Sequence, residues 1–179
     1  MGGHVAFLRG INVGGRRVTN DRLVSVAVDA GFGEVSAFLA SGNLLLDAPV
    51  ASTTQETEKV LSAALEADLG YEVDVFARSA AEVAAVASVT PFDQDVVDAA
   101  KGKPQVTFLH EHPTPAQWLA VAELGTSDDL VELGDRCWFW LPEHGISGTA
   151  LDLRAIERHL GVGTTRTLNT VSRLAAKSA

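Results

Sequence analysis

The chain has 179 residues, 46% of them hydrophobic, and a formal net charge of −9. That length suits one sizeable domain or two small ones packed together, and the apolar content excludes a disordered chain. No apolar run nears the roughly 18 residues of a membrane span, which excludes a helical membrane protein.

His4 to Arg9 reads as a short buried strand. RGINVGGRR follows, from Arg9 to Arg17, and its spacing resembles a phosphate-binding P-loop: four residues separate Gly10 from Gly15, and a basic side chain comes next. P-loop chemistry needs a lysine and then a hydroxyl residue that ligates magnesium. Arg16 and Arg17 occupy those positions, so nucleotide hydrolysis of that kind is not expected. The loop still offers Gly10, Gly14 and Gly15, where backbone amides can approach an anion closely, and arginines that bind phosphate or carboxylate bidentately. The simpler reading of the loop alone is that the glycines turn the chain while Asn12 bonds to local backbone.

Thr19 or Asn20 caps a helix carrying Leu23, Val26 and Ala27, which Gly31 ends. Glu34 to Leu39 is β-leaning, Ser41 to Asn43 is turn chemistry, and Leu44 to Leu46 is a second apolar strand, which together predict a hairpin. Ser52 to Thr54 open a helix with apolar positions at Val60, Leu61, Ala64 and Leu65, and Glu72 to Phe76 alternates as a strand. The order β-α-β-β-α-β predicts a ferredoxin-like first lobe over residues 1–78. An alanine-rich helix and a polar connector fill 79–104. The second lobe, 105–179, is expected as a related α+β unit. It has a strand at Gln105 to His110, a helix from about Thr114 to Glu123, and a hairpin through Leu130 to Leu133 and Cys137 to Leu141. A helix near Leu151 to Leu160 precedes a C-terminal helix from about Leu168, which stands where the first half has its last strand. The fold class is therefore α+β, two packed lobes without an obvious sequence repeat.

In CWFWL, Trp138 and Trp140 share one strand face and Cys137, Phe139 and Leu141 the other. The tryptophans are expected in the core rather than stacked on bases. Leu44 to Leu46 leave no aromatic platform for RNA on the first hairpin. His110 and His112 lack a third ligand at a metal-site spacing, so no metal or other cofactor is expected. Cys137 reads as a packed thiol. With one cysteine there is no internal disulfide, and MGGHVAFLRG lacks a signal-peptide layout. The expected location is the cytoplasm, with no membrane partner and a monomer as the default.

Charge is unevenly spread. Residues 1–22 and 154–179 together hold nine basic and two acidic residues, while the middle holds five against 21. Ends that meet in the fold would form a positive patch on an acidic body. Scattered, solvated charges are the alternative.

RGINVGG, SGN and the C-terminal GVGTTRTLNTV, read together, resemble the domain of unknown function 1697 family, small bacterial α+β proteins, over nearly the full length. The resemblance implies two lobes related to the ferredoxin-like arrangement, and it implies no established activity. Thr167 and Leu168 replace the family's usual Asn and Trp, and Ala150 replaces a lysine. The signature segments nominate Arg9, Gly10, Asn12, Gly14, Gly15, Arg16, Arg17, Ser41, Asn43, Thr164, Thr165 and Arg166 as ligand-binding residues. The leading expectation is a binding module for a phosphate-bearing small molecule or nucleic acid. The alternatives are an enzyme acting on a small anionic metabolite, with no catalytic residue assigned, and a protein-partner module.

Overall fold

The structure is a computed structural model and describes residues 2–39, 42–49 and 52–178. It is mixed α+β, with two four-stranded antiparallel sheets and seven helices among the described residues. Two compact units are present. One comprises Met1–Ala85 with Arg173–Ala179, the other Val86–Ser172.

The first unit runs β1 (Gly2–Leu8), α1 (Asn20–Asp29), β2 (Gly33–Ala37), β3 (Asn43–Ala48), α2 (Thr54–Leu69) and β4 (Val75–Ser79), then enters α3 (Ala80–Ser88). Its strands lie in the order β2-β3-β1-β4. Thr19 caps α1, its hydroxyl accepting from the Arg22 amide at 3.3 Å. Thr53 and Glu56 close a reciprocal capping box on α2, and Gly70 ends that helix at φ 75°. Leu23, Val26 and Ala27 of α1 and Leu61 and Leu65 of α2 recur at helical spacing. They bury against Ala6, Leu8, Leu44 and Leu46 of the sheet. Each such leucine contributes about 1.5–3 kcal/mol by leaving water. The other sheet face carries Val5, Phe7, Leu45 and Phe76, also buried.

The second unit holds α4 (Gln94–Ala99), β5 (Gln105–Leu109), α5 (Pro115–Ala122), β6 (Asp129–Gly134), β7 (Cys137–Pro142), α6 (Leu153–Leu160) and β8 (Gly163–Thr167). The last helix, α7 (Leu168–Ser178), starts here, and its residues from Arg173 onward belong to the first unit. The sheet order is β6-β7-β5-β8. Counted from the start of each unit, the two orders are the same. Trp138 and Trp140 pack with Leu109, Val121, Leu151 and Ile156, so the core placement holds. Cys137 is buried on the opposite face.

Three local expectations are corrected. The strand placed at Glu72 to Phe76 begins at Val75, because Glu72 to Asp74 form the approach to it. The polar connector contains α4, a six-residue helix with no buried side chain to announce it. Most consequential, β8 precedes the C-terminal helix, so the second half does have its last strand. GTTRT gave no apolar alternation because it is an edge strand of threonines.

The last strands of the two units also match residue for residue at one point. Arg78 is the fourth residue of β4 and pairs with Val5 of the unit's first strand. Arg166 is the fourth residue of β8 and pairs with Val106 of β5. Arg78 donates from Nη1 to the Ala77 carbonyl at 2.7 Å, and Arg166 from Nη1 to the Thr165 carbonyl at 2.8 Å. The next residue caps the next helix in both cases. The Ser79 hydroxyl accepts from the Glu82 amide, and that of Thr167 from the Thr170 amide.

Candidate functional site

The loop after β1 is built on left-handed backbone. Gly10, Asn12, Gly14 and Gly15 have φ of 77°, 62°, 65° and 85°. Asparagine tolerates that conformation better than most residues because its short side chain bonds locally. Asn12 does so here, its Oδ1 accepting from the Val18 amide at 2.7 Å. Asn12 therefore braces the loop, while the amides of Gly14, Gly15 and Arg17 have no partner among the described residues. Amides exposed in a turn of this kind form a concavity suited to an anion.

Arg16 and Arg17 differ in their surroundings. The Arg16 guanidinium lies over the Tyr71 ring, 4.0 Å from its centroid, a contact worth about 0.5–1 kcal/mol at an exposed site. Arg17 is exposed and pairs with no carboxylate among the described residues. Both line a cleft of about 710 Å³ with Asn12, Gly15, Val18, Thr19, Asn20 and the acidic Asp21, at the N-terminal end of α1. The helix dipole adds positive potential at that end. Arg22 turns away and binds Asp68, Nε to Oδ2 at 2.7 Å.

Gly42 and Asn43 of the SGN segment are drawn to the same end of the sheet. The Gly42 carbonyl accepts from the Leu8 amide at 2.7 Å, and Arg9 donates its amide to the Asp74 carbonyl at 2.9 Å. A Cβ on Gly42 would lie 3.2 Å from Leu8 Cβ and 3.6 Å from Ile11 Cβ. Asn43 is buried and donates to the Phe38 carbonyl at 3.0 Å, so it braces the hairpin rather than facing a ligand. Ser41 lies outside the described residues. Asn20 links the cleft to this hairpin by donating to the Leu39 carbonyl at 3.3 Å. Beside it, Arg173 and Lys177 of α7 stand over the Phe38 ring at 5.1 and 5.8 Å. Within the first unit, then, basic residues from both chain ends flank one hairpin.

Thr164, Thr165 and Arg166 belong to the second unit. Their polar groups engage their own sheet: Thr165 Oγ1 lies 2.8 Å from Thr107 Oγ1, and Arg166 donates to Thr164 Oγ1 at 2.9 Å. Burial lowers the Arg166 pKa to about 10, still protonated at neutral pH. His112 meets Asp135 at 3.3 Å on the surface, and the His110 carbonyl accepts from Arg136.

Sequence reading missed one residue that positions a cleft side chain, Tyr71, and two buried anchors elsewhere, Arg78 and Asp129. Tyr71 is invisible because its contact with Arg16 joins residues far apart in the chain. Arg78 hides in an apolar strand at 1% exposure. Asp129 anchors the segment before α6, accepting from Trp140 Nε1 at 3.2 Å, Thr149 Oγ1 at 2.9 Å and the Ala150 amide at 3.2 Å. Burial pushes its pKa up, but these donors and the Thr126 hydroxyl outweigh burial and hold it low. Ala150 joins through its backbone, so the missing lysine does not disturb this anchor.

No helix among the described residues is long and apolar enough to cross a membrane. Residues 1–139 match the model of a family described as protein of unknown function (DUF1697). The Thr164–Arg166 segment lies beyond that match. No curated protein matches the chain. Among solved structures the chain is similar to the conserved bacterial protein SP0830 from Streptococcus pneumoniae. The two share 18% identity with a TM-score of 0.72 over 99% of each chain, a likeness of fold.

Proposed function

We propose, from the premise that the chain belongs to the DUF1697 family of unknown function, that its first unit binds a phosphate-bearing ligand, nucleic acid included. The observation that carries this reading is the cleft at the N-terminus of α1. There an exposed, unpaired Arg17 stands beside Arg16, over loop amides that have no partner among the described residues. Arg16, held against Tyr71, supplies a positioned charge, and Arg17 an exposed one. Arg173 and Lys177 near Phe38 add two further bases to the first unit, although Lys177 shares its surroundings with Glu34 and Asp47. Asp21 stands in the lining without a histidine, lysine or second carboxylate beside it among the described lining residues, so the site is read as binding without chemistry. In the same reading each unit is a ferredoxin-like β-α-β-β-α-β layer. The support is the element order and the two matching sheet orders.

The test is anisotropy of a labelled single-stranded oligonucleotide, titrated with the protein across a salt series. The wild type is expected to bind with a steep salt dependence. Arg16→Glu with Arg17→Glu is expected to weaken binding at least about tenfold and to flatten the slope of log affinity against log salt by about 1.4, two contacts' worth on a single strand. Unchanged affinity and slope in the double variant would exclude this cleft. Stabilisation of the wild type by pyrophosphate without oligonucleotide binding would restrict the ligand to small molecules.

A further inference from the structure

Four strand edges bound the two sheets, and three are blunted. Edge strand β2 carries a register shift between Gly33 and Ser36. On β4 the Ala77 amide donates to Glu58 Oε1 at 2.9 Å and its carbonyl accepts from Arg78. On β8 the Thr165 carbonyl accepts from Arg166. Edge strand β6 has no such device along Val131 to Leu133. It meets β7 through a two-residue turn that makes Gly134 and Cys137 a hydrogen-bonded pair. Alternation then turns the amides and carbonyls of Val131 and Leu133 outward. Nothing among the described residues bonds them there.

Beside this edge, still within the second unit, lies a cavity of about 340 Å³. Val96 and Ala99 of α4 and Leu130 and Leu141 of the hairpin give it an apolar floor. Asp95 and Glu143 stand on its rim with no ion-pair partner among the described residues, while Asp128 faces His144 at 3.5 Å. An apolar floor under free carboxylates suits a lysine or arginine, whose aliphatic stem lies on the floor with its charge at the rim. A second copy of this chain would instead bring Glu132 and the same carboxylates against themselves.

We propose that the outer edge of β6 docks an extended basic segment of another protein, which adds a fifth strand to the sheet and lays a lysine or arginine in the adjoining cavity. The probe is fluorescein-labelled Lys-Val-Lys-Val-Lys-Val, titrated against the full chain by anisotropy, with amide hydrogen exchange followed in parallel. Val131 and Leu133 amides are expected to exchange rapidly in the free protein and to become protected with peptide. Methylating alternate peptide amides, replacing the lysines by glutamates, and Leu130→Arg in the half-exposed floor are each expected to weaken binding at least about tenfold. Undiminished binding of the methylated or acidic peptides would overturn the proposal. So would no binding at about 1 mM, slow exchange of the two amides without peptide, or self-association of the chain through this edge.

Discussion

His4 is buried at 7% exposure, with Nδ1 2.9 Å from the Thr57 hydroxyl of α2. Burial lowers its pKa from the ordinary 6.5, opposed by the charge of Glu82. The folded chain therefore holds fewer protons on this ring than the unfolded chain does. Stability from this residue is complete above 6.5 and declines as pH falls through the folded value. Urea unfolding at a series of pH values is expected to show a loss beginning just below neutrality, and His4→Gln to remove that limb. Asp129, held below its ordinary 3.8, gives a second loss only in stronger acid, which His4→Gln leaves in place. A profile unaltered by His4→Gln would assign the first limb to other groups. The sequence gives no notice of either residue, because each owes its state to partners brought together by tertiary packing.

At the scale of elements, the hairpin turn at Gly42 carries the junction between β1, the glycine loop and β3. A Gly42→Ala substitution must hold φ 67° and bring a methyl within 3.2 Å of Leu8. The expected cost is on the order of 1–3 kcal/mol, read as a lower urea midpoint, with weaker oligonucleotide binding as the loop loses its support. Wild-type stability and binding would show the turn to be incidental. Turn and cap chemistry was the most legible part of the sequence: Thr19, Ser52 to Thr54 and Thr114 mark helix starts close to where they occur. The loop and the SGN turn were also found, since glycines with left-handed φ announce themselves locally. Local bonding of Asn12 is the simpler reading of the loop and is what the residue does. The sequence does not choose between that and ligand contact for Asn12 or Asn43, because the same side chain can face a ligand or the backbone. Strand β8 escaped notice for a different reason: GTTRT has no apolar side chain to show alternation. The alternation in CWFWL worked because both of its faces are buried.

At the scale of the whole molecule, the two units repeat one wiring diagram without a repeat visible in sequence. What persists is the arginine of the final strand and the hydroxyl cap after it, two residues that a comparison of composition or pattern passes over. The α+β class and the two-unit plan were legible from element order alone, but charge convergence was legible only in part. Arg173 and Lys177 reach the hairpin of the first unit, while Arg166 serves its own strand. Ending the chain after Ser172 removes these two bases and the buried Leu174. The expected outcome is a lower melting temperature together with lost protection at Phe38, measured by hydrogen exchange. A truncated chain that melts like the full one would show α7 to be dispensable there. Because the first unit draws on residues from Arg173 onward as well as on the N-terminal stretch, its sheet is made well before the helix segment that completes it. The N-terminal half is therefore expected to finish folding only after the second unit has been synthesised.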